Sequence, residues 1–416
     1  MDKDDIICSL DIGSDSLVCA VGKFTPDDKI ELLYAASKKC KKGIKGGVVI
    51  NIASLSNTLR ELMDEVESEA GIRITEVYAA VRGSHLESLN NQGIYNITRS
   101  DREIITEDVY SVIENAKTIH LRNEREIIHV IPQNFSVDGE KGFENPVGME
   151  GNTLETSVHI ITGNISHLNN ISKAIANSGF NISEHVYHIY PLSEVVLSEE
   201  EKKLGCAVID IGDQITSIAV YSDGKIRFSK DIPLGSYFIT HDIALLAHVP
   251  FDVADSLKEN YGYAISSMLD NDSEIEVLSM DKTSKKKINQ STLIDYIKPR
   301  VEELLVEIKE IIDKNKVSMP ELENINAIIL TGGGSMLKGM DKAFEKVFNI
   351  SDVRYGRVSD EYVVIKDKKY LNQKYTTAIS LLCYPIFIKP QIEQFSNNIG
   401  SNGFMQFLKW VKNIFS

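Results

Sequence analysis

The chain has 416 residues, too many for one compact core, so two or more domains are expected. Hydrophobic residues make up 43% and charged residues 25%, a balance that excludes disorder of the whole chain. The 45 Lys and Arg against 60 Asp and Glu leave a net charge of −15, which argues against general nucleic-acid binding but not against a local basic patch.

The N-terminus is acidic and its apolar run breaks at Asp11, unlike a signal peptide. Residues 6–10 read as a short buried strand, and strands follow over 17–22 and 30–37 with a turn at Pro26-Asp27-Asp28. Residues 52–70 carry Leu55, Leu59, Leu62, Met63 and Val66 near helical spacing and are predicted as an amphipathic helix. A strand over 77–81 completes an α/β pattern. From about 84 to 161 the character changes, with a charged helix near 106–116 and β-rich stretches over 127–135 and 157–162; this reads as an inserted domain.

A second α/β unit opens with a strand over 204–210. Cys206-Ala207-Val208-Ile209-Asp210-Ile211-Gly212 resembles Ile6-Ile7-Cys8-Ser9-Leu10-Asp11-Ile12-Gly13, which suggests two copies of one fold. Residues 266–290 are polar and read as a hairpin or loop. Residues 293–314 form a long helical pattern, in which Pro299 marks either a kink or the true start. A strand over 325–330 enters Thr331-Gly332-Gly333-Gly334. Residues 390–403 are rich in Asn, Ser and Gly and read as a flexible linker before an apolar tail. The five cysteines are scattered without metal or redox spacing, which suits reduced thiols in a cytosolic compartment. No run of about 20 apolar residues is present to span a bilayer as a helix.

Three glycine-containing turns follow apolar strands: Asp11-Ile12-Gly13-Ser14-Asp15-Ser16, Asp210-Ile211-Gly212-Asp213-Gln214-Ile215-Thr216 and Thr331-Gly332-Gly333-Gly334. Glycine lets backbone approach a phosphate closely, and turn N–H groups can point at it. An Asp just after a strand is suited to Mg²⁺ held through water. His185 and His188, three apart in an apolar stretch, lack a third ligand and are not read as a metal site. The lysines Lys38, Lys39, Lys41, Lys42 and Lys45 read as a solvated hairpin, with contact to anionic lipid as the other reading.

The order and spacing of the three turns resemble the actin and Hsp70-type ATPase superfamily, and more closely the FtsA family of bacterial cell division proteins. The supporting stretches include Val130-Ile131-Pro132-Gln133, Asn145-Pro146-Val147-Gly148-Met149, Ile232-Pro233-Leu234-Gly235 and Pro299-Arg300-Val301-Glu302-Glu303-Leu304, and the likeness covers nearly all of 5–390. The resemblance implies an α/β, actin-like duplicated fold with two large domains around a nucleotide cleft. Subdomain 1A would be 1–83 with about 162–195 and 366–389, and the inserted subdomain 1C would be 84–161. Subdomain 2A would be 196–240 with about 318–365, and 2B would be 241–317. It also implies ATP binding, filaments, and attachment of FtsZ to the inner membrane face at the division site, with later division proteins meeting 84–161.

By the same resemblance the nucleotide would meet Asp11, Gly13, Ser14, Asp15, Ser16, Asp210, Gly212, Asp213, Gln214, Thr216, Gly332, Gly333 and Gly334, with Lys258 and Glu259 at the ribose and base. Asp11 and Asp210 would hold Mg²⁺. Arg300 and Glu303 lie on the helix that resembles the docking site of the FtsZ C-terminal peptide; Arg300 either pairs with an acidic peptide or forms an internal salt bridge. The chain departs from the family at both phosphate loops. Asp213 and Gln214 replace two glycines, Ile215 replaces a Thr, and Ser217 replaces a final Asp; Ser14-Asp15-Ser16 stands where Thr-Ser-Lys is common. Added carboxylates repel phosphate and a Cβ blocks backbone approach, so weak ATP affinity and little or no hydrolysis are expected.

The tail, 404–416, places Phe404, Phe407, Leu408, Val411, Ile414 and Phe415 on one helical face, Gln406, Lys409 and Asn413 on the other, and Trp410 and Lys412 at the edges. This is the pattern of a helix lying in an anionic membrane interface rather than crossing it. A terminal helix docked on the protein's own core is the alternative. For the whole chain, the alternatives are an actin-fold scaffold of another envelope machine, such as pilus assembly, and an active kinase or ATPase.

Overall fold

The structure, a computed structural model, describes residues 6–40, 42–281 and 283–388. The predicted linker and membrane helix lie outside them. Among the described residues, no helix is long and apolar enough to cross a membrane.

The first unit begins with β1 (Ile6–Ile12), β2 (Ser16–Phe24) and β3 (Ile30–Lys39), then a small ribbon of β4 (Ile44–Lys45) and β5 (Val48–Val49). Helix α1 (Ile52–Ala70) runs as the periodicity predicts and buries the five residues named for it. It leads to β6 (Glu76–Val81). The chain then leaves this sheet for β7 (Glu87–Asn96), α2 (Thr106–Lys117), β8 (Arg125–Val137), β9 (Glu140–Phe143) and β10 (Thr153–Asn164). These four strands form their own sheet in the order β7-β10-β8-β9, and α2 packs on it through Val109, Val112, Ile113 and Ala116.

The first unit resumes with α3 (Ile165–Ser178), β11 (Asn181–Tyr187) and α4 (Ile189–Val196). Asn164 caps α3 by accepting from the Ser166 and His167 N–H groups. Asn164→Ala is expected to lower stability by about 1 kcal/mol, read as a fall in the denaturant midpoint at unchanged slope.

The second unit follows α5 (Glu199–Leu204), with β12 (Cys206–Ile211), β13 (Thr216–Ser222) and β14 (Lys225–Ile232). The sequence places Leu204 in a strand; it instead ends α5. The short helix forms because Ser198 and Glu201 make a reciprocal cap, and Gly205, at φ +95°, turns the chain out of it. The unit continues with α6 (Ser236–Leu246), α7 (Phe251–Tyr261), the hairpin β15 (Glu274–Leu278) and β16 (Lys285–Asn289), and α8 (Gln290–Lys316). Pro299 lies inside α8 and does not start it; Leu293, Ile294 and Ile297 before it and Val301, Leu304 and Leu305 after it are all buried, so one apolar face carries the helix past the missing N–H. The strand predicted over 325–330 is β17 (Ala327–Thr331), and α9 (Met340–Phe348), β18 (Asp352–Tyr355), β19 (Val363–Val364) and α10 (Gln373–Leu382) follow among the described residues.

The two main sheets repeat one topology. In the first, β3-β2-β1 form an antiparallel meander, β6 joins β1 in parallel and β11 joins β6 in parallel. In the second, β14-β13-β12 form the meander and β17 and β18 follow in parallel. The duplication suggested by two short segments therefore extends over five strands in each half. The first half and the inserted sheet both touch the second half at β14: Gly83 N–H donates to Asp231 Oδ2 at 2.6 Å and the Tyr187 hydroxyl to Asp231 Oδ1 at 2.8 Å, while Ser88 Oγ of β7 donates to the Ser229 carbonyl at 2.5 Å.

Candidate functional site

A cavity of about 580 Å³ opens between the two sheets. Its floor lies where β1 and β12 end and each chain turns back into the next strand, the strand-end position where α/β proteins gather ligands. The two turns share one geometry. Gly13 N–H donates to the Ser16 carbonyl at 3.1 Å, and Gly212 N–H donates to the Ile215 carbonyl at 2.9 Å. An added Cβ would sit 2.7 Å from the first oxygen and 2.8 Å from the second. The third turn closes the wall. Gly332 has φ +81°, and a Cβ there would lie 2.5 Å from Asp210 Oδ1. Gly333 instead faces open space, with no atom within 4 Å of where its Cβ would be.

Of the residues expected at a nucleotide, Asp11, Gly13, Ser14, Asp15, Ser16, Asp210, Gly212, Asp213, Gln214, Lys258, Glu259, Gly332, Gly333 and Gly334 all line this cavity. Thr216 does not: it is fully buried, and its hydroxyl donates to the Leu234 carbonyl at 2.8 Å. As the first residue of β13, its side chain alternates into the protein. Lys258 lies at the cavity with its ammonium already held, donating to Thr240 Oγ1 at 2.7 Å and Asp255 Oδ1 at 3.0 Å. Arg300 takes the internal alternative. It is paired with Asp242 through Nε at 2.8 Å and Nη2 at 3.2 Å, is bonded to Glu303, and lies over the Phe238 ring.

Sequence reasoning missed Arg82. It follows β6 and its side chain is only 9% exposed. Its Nη2 donates to Asp11 Oδ1, and its Nη1 lies 3.5 Å from Asp210 Oδ2. The two carboxylates expected to hold Mg²⁺ thus converge on a guanidinium. Asp210 is further engaged by His188 Nε2 at 3.1 Å and by the Thr331 hydroxyl at 3.1 Å. Burial by itself would raise the Asp210 carboxyl, yet His188, Arg82 and Thr331 hold it below the usual carboxylate range. Burial likewise opposes the charge on Arg82, and Asp11, Asp210 and Asp231 overcome it. This donor set is already paired with the Arg82 guanidinium, and Asp210 also with His188 and Thr331, so it does not fit a divalent ion.

The Lys39 side chain is 62% exposed, as the solvated reading expects, but it also faces the cavity. It extends from the end of β3 to within 3.9 Å of Asp15 and 3.8 Å of Asp255, linking the two halves across the cavity mouth. Asn372, Gln373 and Lys374 complete the wall at the start of α10. The one available signal for Arg82 was its place directly after a buried strand, beside a glycine. Among the described residues the lining holds six carboxylates, Asp11, Asp15, Asp210, Asp213, Asp255 and Glu259, against four cations, Lys39, Arg82, Lys258 and Lys374. The Asp213 carboxyl is pushed up to about 6, by burial first and by the neighbouring Asp15 second.

A profile described as the SHS2 domain inserted in FTSA matches residues 83–162, and one described as cell division protein FtsA matches 207–380. A cell division protein FtsA from Buchnera aphidicola is 31% identical over 416 residues, covering 99% of this chain and 97% of the relative. The chain belongs to the FtsA family. Its fold is also that of solved actin-like proteins. A structure titled PilM-PilN type IV pilus biogenesis complex superposes with a TM-score of 0.65 at 17% identity, covering 91% of this chain and 98% of the other. MreB5 of Spiroplasma citri bound to ADP gives 0.55 at 12% identity, with 94% and 98% covered. The FtsA-family chain described here is therefore an actin-like cell division protein, with the stretch of distinct composition matching the inserted family domain.

Proposed function

We propose that this chain binds ATP weakly in the cleft, polymerises into actin-like filaments and ties FtsZ polymers to the cytoplasmic face of the membrane at the division site. The observation that carries the nucleotide reading is the cavity between two repeated sheets, walled by three glycine turns with Gly333 open to it. Backbone can approach phosphates there without side-chain interference. The excess of carboxylates supports weak affinity. The departures at Asp213 and Gln214 support at most slow ATP turnover, so the role is that of a structural adaptor.

In this reading the four subdomains divide the work, with later division proteins meeting 84–161 and the FtsZ C-terminal peptide meeting 2B near Arg300 and Glu303. Arg300 would act there as part of a rigid, internally paired surface, and Glu303, whose side chain is 53% exposed, as a direct contact. Asp11 and Asp210 are engaged by Arg82, so this pair would not hold Mg²⁺ for the nucleotide.

Calorimetric titration of the full chain with ATP tests the cleft, and titration with an FtsZ C-terminal peptide tests the adaptor role. The expected results are ATP binding weaker than micromolar and saturable peptide binding. Sub-micromolar ATP affinity would contradict the charge argument. Absence of peptide binding would favour a scaffold in another envelope machine.

A further inference from the structure

Arg82 is the most constrained charge in the cleft. Its carbonyl lies 2.0 Å from the position a Cβ would take on Gly47, so the ribbon of β4 and β5 is packed directly against its backbone. Its guanidinium reaches Asp11 on the first sheet and Asp210 on the second, and it lines the cavity beneath the glycine turns. An Arg has five N–H donors in a fixed planar fork, more than these two carboxylates use. Nε is buried with no hydrogen-bond partner among the described residues. A guanidinium whose Nη groups carry more N–H donors than Asp11 and Asp210 use, at the floor of a cavity of about 580 Å³, is suited to anionic oxygens.

Resting on the nucleotide reading of the cleft, we propose that Arg82 is a phosphate-binding residue of this chain, taking the place of a divalent cation held by Asp11 and Asp210. The guanidinium cannot be chelated away and cannot leave the cleft. It carries one charge where Mg²⁺ carries two, which agrees with weak affinity in a cleft of net negative lining. Its consequence is specific: nucleotide affinity is nearly independent of Mg²⁺. Removing Arg82 leaves Asp11 and Asp210 without a counter-charge, so binding becomes metal-dependent.

The experiment is a fluorescence titration of the full chain with an ATP carrying a ribose-linked fluorophore, in Mg²⁺ and in EDTA. It is run on the unaltered protein, Arg82→Gln and Arg82→Lys. For the unaltered protein the two dissociation constants should agree within about threefold, and Arg82→Gln should lose about tenfold or more in EDTA, the loss of one charge-assisted hydrogen bond. Mg²⁺ should recover most of that loss in Arg82→Gln. Arg82→Lys, which keeps the charge but not the fork, should retain binding in EDTA with intermediate affinity. Loss of binding by the unaltered protein in EDTA would overturn this inference and leave the nucleotide site standing; so would an Arg82→Gln protein that binds as tightly as the original in EDTA. No binding in either buffer would overturn both readings. Circular dichroism confirms that each variant is folded; should Arg82→Gln fail to fold, the unaltered protein and Arg82→Lys still decide the matter through their response to EDTA.

Discussion

A chain ending at Ile399 is expected to lose co-sedimentation with vesicles containing anionic lipid, while the full chain is retained. The full-length protein should also show a blue shift of Trp410 emission on adding those vesicles, a clean signal because Trp410 is the chain's one tryptophan. Placed on a helix, residues 404–416 would carry six large apolar side chains on one face, with two lysines, Lys409 and Lys412, beside Trp410. Such a helix is too short to cross a bilayer and is shaped to lie at its surface, where each lysine adds about 1 kcal/mol near anionic lipid. One such tail would bind reversibly. The proposed filament would present many, so truncation would remove an avidity that grows with polymer length. Retention of the truncated chain on vesicles would place the anchor elsewhere.

Replacing Asp213 by Asn should tighten ATP binding by about tenfold at pH 8, a change of about 1.4 kcal/mol from removing one charge beside the phosphates. Titration of both proteins at several pH values checks this, and the gap should close as pH falls below the Asp213 value of about 6. Stability follows the same group. Its folded value is raised above the usual 3.8, so the folded state binds the proton more tightly than the unfolded state. Stability should therefore fall as pH rises from about 4 to 6 and then level off, a loss of up to about 3 kcal/mol at the site. Asp213→Asn should remove that slope, gaining stability at pH 8 and none at pH 4. Equal denaturation midpoints of the two proteins at pH 8 would show that the carboxylate is relaxed rather than strained.

Much of the architecture was legible because local pattern reports which face of an element is buried. The spacing of Leu55, Leu59, Leu62, Met63 and Val66 specified α1, and all five are buried. The repeated Asp-Ile-Gly after an apolar strand marked both turns, and the two share one backbone hydrogen bond. Turn glycines are readable because close backbone packing excludes a Cβ, a requirement that acts on single residues.

Pairing between distant side chains was not legible. Arg82 and Asp11 are 71 positions apart, and Arg300 and Asp242 are 58 apart. Nothing in either neighbourhood names the partner, because the partner is set by strand register and by how the two sheets close on each other. Thr216 shows the same limit within one turn. It follows the glycine loop in sequence, but the two-residue alternation of β13 turns its hydroxyl inward to Leu234. The sequence alone determined the strands, the duplication and the glycine turns, since these depend on periodicity and local backbone freedom. Tertiary structure decided the electrostatics of the cleft, because charges that act over a few ångströms come from segments that only folding brings together.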